Sequence, residues 1–150
     1  MTAIRTFAIV AAAAMLAMPS VAAAPDTIKA RQANFKAMAR SMKMISDELR
    51  KDTPAFAVVR REAAALDRAA GRVGRSFPRG TGAEAGVKTG ARAAIWAEPA
   101  AFQAASAKLT GATKGLRAAA AGTDTGRIRA ALGATGATCK GCHDQFRVQD

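Results

Sequence analysis

Both cysteines and the single histidine of the chain lie within five residues, in the sequence Cys139-Lys140-Gly141-Cys142-His143. This is the C-x-x-C-H pattern of c-type haem attachment. On a helix these three side chains share one face, so both thiols could form thioethers with the vinyl groups along one porphyrin edge. The imidazole would then be an axial ligand of the iron. The pattern predicts one covalent haem c, bound by Cys139, Cys142 and His143, with His143 as the metal ligand.

Other uses of this pattern fit the sequence less well. Two Cys and one His cannot supply four such ligands to a structural zinc ion. A thioredoxin-like dithiol remains an alternative, but it belongs on a helix that follows a strand, and no segment is typical of a strand. A structural disulfide across so short a loop is less favoured still. Because the only imidazole is assigned to iron, no side chain is placed as a general acid or base, and we do not predict an enzyme.

The motif falls at the end of the last of four amphipathic segments. Their apolar residues recur at alternating spacings of three and four, which is typical of helices packed at shallow angles. The segments span residues 28–49, 56–73, 102–119 and 128–146. Asp26, Thr53 and Asp124 are the expected N-caps, with Pro54 opening the second helix and Gly122 closing the third.

A bundle follows from the lengths of the connections. Two links are short and place consecutive helices antiparallel, whereas the Gly-rich stretch 75–92 predicts a long surface loop between the second and third helices. The prediction is an all-α, up-down antiparallel four-helix bundle with covalently bound haem. Cys139 and Cys142 both lie on the apolar stripe of the last helix, so the haem would be held against the bundle interior.

The N-terminus has the pattern of an export signal. A single cation, Arg5, precedes the apolar run 8–18, and Val21-Ala22-Ala23 supplies the small residues that a signal peptidase recognises. We predict a signal peptide over residues 1–23, a bundle domain over 24–150 and a periplasmic location, with no membrane insertion after cleavage. An uncleaved anchor is the alternative, although the apolar run is short for a membrane span.

The net charge of +12 points to acidic partners. Redox partner proteins are the predicted class. A basic protein that binds nucleic acid or an anionic surface is an alternative, since Arg60 and Arg61 form a small cluster. Three features favour a solvated surface and no nucleic-acid partner: the basic residues are dispersed along all four helices, aromatic residues make up only 5% of the chain, and the signal directs export.

The whole arrangement resembles the class II c-type cytochromes, the cytochrome c′ family. In that family the attachment motif lies in the last helix near the C-terminus. The resemblance covers the bundle length, the long loop, the pair Ile95-Trp96, and the ending Cys-Lys-Gly-Cys-His-Asp-Gln-Phe-Arg over residues 139–147. The motif itself is common to many cytochromes, and its position within the bundle is what specifies the class. The resemblance implies a homodimer.

The resemblance also assigns three further residues to the haem. Arg31 lies on the apolar stripe, where an unpaired charge would cost several kcal/mol, and the family has an Arg here that suits a haem propionate. Phe35 corresponds to the position that faces the sixth coordination site. Trp96 is expected to flank the haem. Alternatively, Arg31 extends to solvent from the stripe edge, and Trp96 is an ordinary core aromatic.

The residue at position 35 bears on function. Low-spin relatives carry a Met there, and Phe cannot coordinate iron. The resemblance therefore implies a five-coordinate haem in a monohaem electron-transfer protein that binds NO or CO once Phe35 moves. Met38 and Met42 lie on the same stripe, so a six-coordinate, low-spin electron carrier with a Met ligand remains the alternative.

Overall fold

The computed structural model describes residues 24–148, so the predicted signal peptide, 1–23, lies outside the described residues. Four long helices and one single helical turn make up most of this part of the chain. They are α1 (Ala24–Leu49), α2 (Phe56–Ala70), the turn α3 (Ala94–Ala97), α4 (Pro99–Ala119) and α5 (Thr125–Phe146). Residues 24–148 contain no strand, only an isolated antiparallel bridge between Ala91 and Arg147. The prediction of an all-α bundle is confirmed.

Contacts between α1 and α2 show that the two helices are antiparallel. Asn34 Nδ2 donates to Ala69 O at 3.0 Å, and Ser41 Oγ donates to Glu62 Oε2 at 2.9 Å. Residue numbers therefore rise along α1 as they fall along α2. Both hydrogen bonds connect helices that pack closely against each other.

The second antiparallel pair is α4 and α5. Thr135 Oγ1 donates to Ala112 O at 3.4 Å, and the rings of Phe102 and Phe146 meet edge to face with centroids 5.3 Å apart. The two pairs join mainly where α2 packs on α4. There Thr113, which is fully buried, donates from Oγ1 to Asp67 at 3.1 Å.

The predicted apolar stripes form the core. Their large aliphatic side chains are almost fully buried and belong to one cluster that joins all four long helices. The members that are no more than 4% exposed include Ile45, Leu49, Val59, Leu66, Leu109, Leu116 and Ile128. No helix within residues 24–148 is both long enough and apolar enough to cross a membrane.

One predicted cap is confirmed at α5 and another is wrong at α2. Asp124 accepts a hydrogen bond from the backbone N of Arg127 at 3.0 Å, as an N-cap should. In contrast, α2 begins at Phe56, so Thr53 lies too early to cap it. The backbone N of Ala55 donates instead to Glu48 Oε2 at 3.1 Å. The Glu48 carboxylate at the end of α1 thus accepts a hydrogen bond from the backbone at the start of α2. Local sequence does not predict this contact.

Two other helix ends differ by about two residues from the prediction. α1 already includes Ala24, which puts Asp26 in the first helical turn instead of at the cap. α4 ends at Ala119 with Ala120 as its C-cap, two residues before Gly122. Alanine continues a helix at little cost, so Ala24 extends α1 in front of its predicted cap. α4 differs in the opposite sense, because it ends at Ala119 although two further alanines follow.

These helix ends give a matched test of capping. Asp124→Ala should lower the free energy of unfolding by ~1 kcal/mol, because it leaves a backbone N–H of α5 without its side-chain acceptor. Thr53→Ala should change it by less than about 0.5 kcal/mol, since that side chain caps nothing. Urea unfolding of the haem-loaded protein measures both. Equal losses in the two variants would contradict the assignment of the caps.

Candidate haem site

The C-x-x-C-H motif lies in the last two turns of α5. Cys139 and Cys142 are half-buried and pack against the core cluster, while His143 is more exposed. Burial raises the pKa of both thiols, and the nearby Cys139 raises that of Cys142 further, so both are uncharged at neutral pH. Partial burial and the cation of Arg147 lower the pKa of His143. A neutral imidazole, the form that binds iron, is therefore favoured.

The two thiols belong to α5, which packs less closely against α1 than against α4. Both helices present apolar side chains here that are only partly buried. They are Phe35 and Met42 on α1, and Leu132, Cys139 and Cys142 on α5. An apolar stripe that stays partly uncovered in a packed bundle is suited to covering by another apolar body. The residues present therefore fit a porphyrin inserted between α1 and α5.

The register of α1 against α5 determines which residue lies level with the motif. Arg129 donates from Nη2 to Leu49 O near one end of the pair. Seven residues further on, the Met42 methyl lies 3.9 Å from where a Cβ on Gly136 would be. One more heptad in this antiparallel register puts Phe35 level with His143. Met42 is then about 10 Å away along the axis, given a rise of 1.5 Å per residue.

Met38 lies between these two levels and is engaged in packing. It is 5% exposed and belongs to the core cluster. Its sulfur accepts a hydrogen bond from Asn34 Nδ2 at 3.8 Å. Among the three candidates on the α1 stripe, Phe35 is therefore the one that the register brings to the motif.

Arg31 is buried, as its stripe position predicts, and is only 4% exposed. Nη1 donates to Thr81 Oγ1 at 2.8 Å, and Nη2 donates to Thr81 O and Thr89 Oγ1, both at 2.7 Å. The guanidinium also lies over the Phe77 ring, 4.5 Å from its centroid. Burial lowers the pKa of Arg31, and the negative charge of Glu84 opposes that shift.

These contacts leave the charge of Arg31 incompletely balanced. All three of its hydrogen-bond acceptors are neutral oxygens, and Glu84 is not within ion-pairing distance. Three bonds also leave part of the five-donor guanidinium unused. A buried cation with spare donors is suited to an additional anion.

The long loop closes this end of the bundle. Arg31 anchors its middle through Thr81 and Thr89. Its last residues pair with the end of α5: Arg92 N donates to Phe146 O at 3.0 Å, and Val148 N donates to Gly90 O at 2.9 Å. The loop therefore joins the start of α1 to the segment that directly follows His143.

Phe77, in this loop, is the centre of an aromatic cluster. Its ring contacts Phe35, Trp96 and Phe102 with centroid separations of 6.2, 6.4 and 5.0 Å. Phe146, three residues after His143, extends the cluster through Phe102. Phe35 and Trp96, predicted separately as haem neighbours, are thus connected through one ring.

Trp96 has a structural role as well. Its indole Nε1 donates to the carbonyl oxygens of Phe77 and Pro78 at 3.0 and 3.2 Å. One edge of the ring lies close to the backbone of Gly82. The side chain therefore holds the first half of the loop against α3.

The sequence did not point to Thr81 or Thr89. Both lie in an irregular Gly-rich loop without periodicity, and yet Thr81 is only 3% exposed. Its hydroxyl accepts from Arg31 and donates to Pro78 O at 2.8 Å. The unusual position of Arg31 on an apolar stripe was the available signal, because a buried guanidinium needs several acceptors.

Thr81→Val tests this anchor with little change in volume. Loss of the hydroxyl leaves a buried donor of Arg31 unpaired and removes one of the two hydrogen bonds to Pro78 O, which should lower the free energy of unfolding by about 1–3 kcal/mol. Hydrogen exchange of the amides in 77–92 should also become faster. The control is Gln32→Ala, which removes an exposed link to Lys88 O and should cost less than about 0.5 kcal/mol. Similar effects in both variants would contradict a special role for the buried contact.

No group of three or more Cys, His, Asp or Glu in residues 24–148 is arranged to hold a metal ion by itself. The chemistry of this end of the molecule thus depends on two thiols and one imidazole on α5, the helix that packs loosely against α1. A four-helix bundle with this motif in its last helix defines a class II c-type cytochrome.

Comparison with known proteins agrees with that class. The profile of the cytochrome c′ family matches residues 26–147. The chain is 36% identical over 143 residues to a cytochrome c′ of Rhodospirillum rubrum, covering 93% of this chain and 96% of that protein. The chain belongs to the cytochrome c′ family, and it carries one covalently attached haem c.

Two solved structures are also informative. The nitric oxide complex of a mutant cytochrome c prime from Alcaligenes xylosoxidans has a TM-score of 0.75 and 27% identity, covering 85% of this chain and 97% of that one. A cytochrome c′ described as having an unusual ligand-controlled dimer dissociation has a TM-score of 0.77 and 25% identity, with 84% and 97% covered. Both are similar to this chain over the whole bundle.

Proposed function

We propose that this protein is a periplasmic one-electron carrier whose five-coordinate haem binds small uncharged gases such as NO and CO. The haem is attached through Cys139 and Cys142, and His143 is its sole protein ligand. The observation that carries the proposal is the register of α1 against α5, which puts Phe35 level with His143. The haem supplies a reversible Fe(II)/Fe(III) couple and an open coordination position.

Residues of this chain explain why the proposed haem would bind uncharged gases in preference to anions and water. Two thioethers to one helix fix the porphyrin edge, and the partly desolvated His143 stays neutral and available as a ligand. Phe35 packs against Phe77 and would make the side of the haem away from His143 apolar and crowded. Such a site disfavours anions and water, because neither would find a hydrogen-bond partner there. The nitric oxide complex of the Alcaligenes xylosoxidans relative supports gas binding.

The competing assignment is a low-spin haem with a methionine as sixth ligand. Met42 would have to reach about two turns along the bundle axis, and Met38 would have to leave the core. Either movement would cost that methionine its present packing contacts, and the neighbouring helices would not replace them. The geometry therefore favours a haem without a second protein ligand.

Absorption spectra of the purified protein test the coordination directly. The ferric protein should be mainly high-spin, and Phe35→Met should convert it to a low-spin form, because the thioether then stands level with the iron ligand. Met42→Leu is the matched control on the same stripe and should leave the spectrum unchanged. A low-spin ferric spectrum with a Met–iron band that disappears in Met42→Leu or Met38→Leu would overturn the assignment of a five-coordinate haem.

Mass spectrometry of the intact protein tests the attachment and the signal peptide. The mass should correspond to one haem on a chain cleaved after Ala23.

Arg31 is proposed to bind a haem propionate with the donors that the loop leaves unused. It would then fix the propionate edge of the haem and the loop at the same time. The incompletely balanced charge of the buried guanidinium supports this contact. The neutral acceptors Thr81 and Thr89 orient the group without neutralising it.

The reduction potential reports on this charge. Arg31→Ala should lower the reduction potential by a few tens of millivolts, because loss of a nearby cation favours the more positively charged ferric state. For a one-electron couple, about 59 mV corresponds to a tenfold change in the equilibrium constant for reduction. Protein-film voltammetry over a range of pH measures this shift and the changed titration of the propionate. Gln32→Ala, a neighbouring contact to the loop without charge, should leave both unchanged. An unaltered potential in Arg31→Ala would count against the propionate contact.

Location and partners complete the proposal. The signal over 1–23 would bring the chain to the compartment where bacteria attach c-type haem, and the net charge of +12 suits acidic redox partner proteins. We do not propose catalytic turnover or binding to nucleic acid. A homodimer is proposed from the family and from the relative described by its dimer dissociation.

A further inference from the structure

A polar groove of about 600 Å³ lies between α4 and the residues that directly follow α2. Gly71, Gly74 and Gly111 line it and contribute no side chains. At Gly74 the two elements approach so closely that a Cβ would lie 2.9 Å from Gln103 Oε1 and 3.0 Å from Ser106 Oγ. At Gly111 no atom lies within 4 Å of a Cβ position. The groove is therefore closed at its Gly74 end and open beside Gly111.

Two cations border the groove. Arg75 comes from the turn after α2 and Lys114 from α4, and neither has an ion-pair partner within residues 24–148. No acidic side chain lines the groove in that part of the chain. Its potential is therefore positive.

The hydroxyl of Ser106 supplies a further donor. Ser106 is 7% exposed, and its Oγ, which faces Gly74, makes no hydrogen bond within residues 24–148. The other polar groups are already engaged: Thr110 Oγ1 donates to Ser106 O at 3.0 Å, and Gln103 Nε2 donates to Gly74 O at 2.9 Å. No side-chain N or O in residues 24–148 is both fully buried and without a hydrogen-bond partner, so this Oγ is reachable from the groove. Ser106 thus presents a donor without an acceptor beside two unpaired cations.

We propose that this groove binds a small organic anion bearing a carboxylate or phosphate group. The guanidinium of Arg75 matches such an oxyanion with two parallel bonds, Lys114 adds a point charge, and Ser106 adds a third type of donor. The volume lies within the range of about 300–1,000 Å³ typical of small-molecule sites. It is large enough for an organic body, which would lie along Gly111 and Ala107. The site is independent of the haem and of its proposed function.

Calorimetric titration of the haem-loaded protein in low salt tests the site. The probes are succinate, for a carboxylate, and glycerol 3-phosphate, for a phosphate. One of them should bind saturably with 1:1 stoichiometry, and the probe that binds identifies the oxyanion. Arg75→Ala and Lys114→Ala should each weaken that binding about tenfold, the loss expected for one charge-assisted bond. Gly111→Leu should abolish it by filling the groove, while the haem spectrum stays unchanged.

Matched variants separate the groove from general charge. Gly115→Leu adds the same side chain one turn further along α4, where space is also open, and should not affect binding. Arg60→Ala and Lys108→Ala remove one charge from α2 and α4 outside the groove and should also have no effect. The proposal is overturned if neither organic probe binds saturably or if Gly111→Leu leaves the affinity unchanged. It is equally overturned if the control variants weaken binding as much, or if inorganic phosphate binds as tightly as the organic probe.

Discussion

The architecture depends on one constraint: two thiols and an imidazole within one helical turn must face a gap wide enough for a porphyrin. A bundle that packed all neighbouring helices equally would cover Cys139 and Cys142 with side chains. Here the close packing is concentrated in the pairs α1–α2 and α4–α5 and in the contact of α2 with α4. The α1–α5 pair remains comparatively open, and Phe35, Met42, Leu132 and the two cysteines on these helices are among the apolar residues left partly exposed. The packing of the other pairs thus leaves α1 and α5 as the helices between which a porphyrin would fit.

The long loop solves a second problem, which is how to keep a charge near an apolar site. A guanidinium on the stripe of α1 would be costly to bury alone. The loop brings Thr81 and Thr89 to Arg31 and puts Phe77 beneath it, so the cation is solvated by neutral groups. Because these partners carry no negative charge, the electrostatic attraction of Arg31 for an anion is retained. The loop thereby stabilises the fold and leaves Arg31 available for the proposed contact with a propionate.

Sequence predicted those parts of the structure that depend on local periodicity. The four stripes, the long loop and the cap at Asp124 follow from spacings and short-range chemistry, and the structure agrees. Contacts between residues distant in sequence were not predictable in this way. Glu48 takes over the capping expected of Thr53 because the end of α1 happens to reach the start of α2. The partners of Arg31 were missed because threonines in an irregular loop have no pattern, and the polar groove was missed because its glycines resemble ordinary helix breaks.

The sixth coordination position shows most clearly why periodicity is not enough. Phe35, Met38 and Met42 lie on one stripe of α1. Spacing alone therefore does not distinguish a five-coordinate haem beside an apolar side chain from a six-coordinate haem with a thioether ligand. The choice depends on the axial register of α1 against α5. Arg129 on Leu49 and Met42 on Gly136, both remote from the motif, fix that register. A shift of one heptad would bring Met42 level with His143 and change the chemistry of the iron without altering any residue near it. Packing at the far end of the bundle therefore selects the proposed function of the haem.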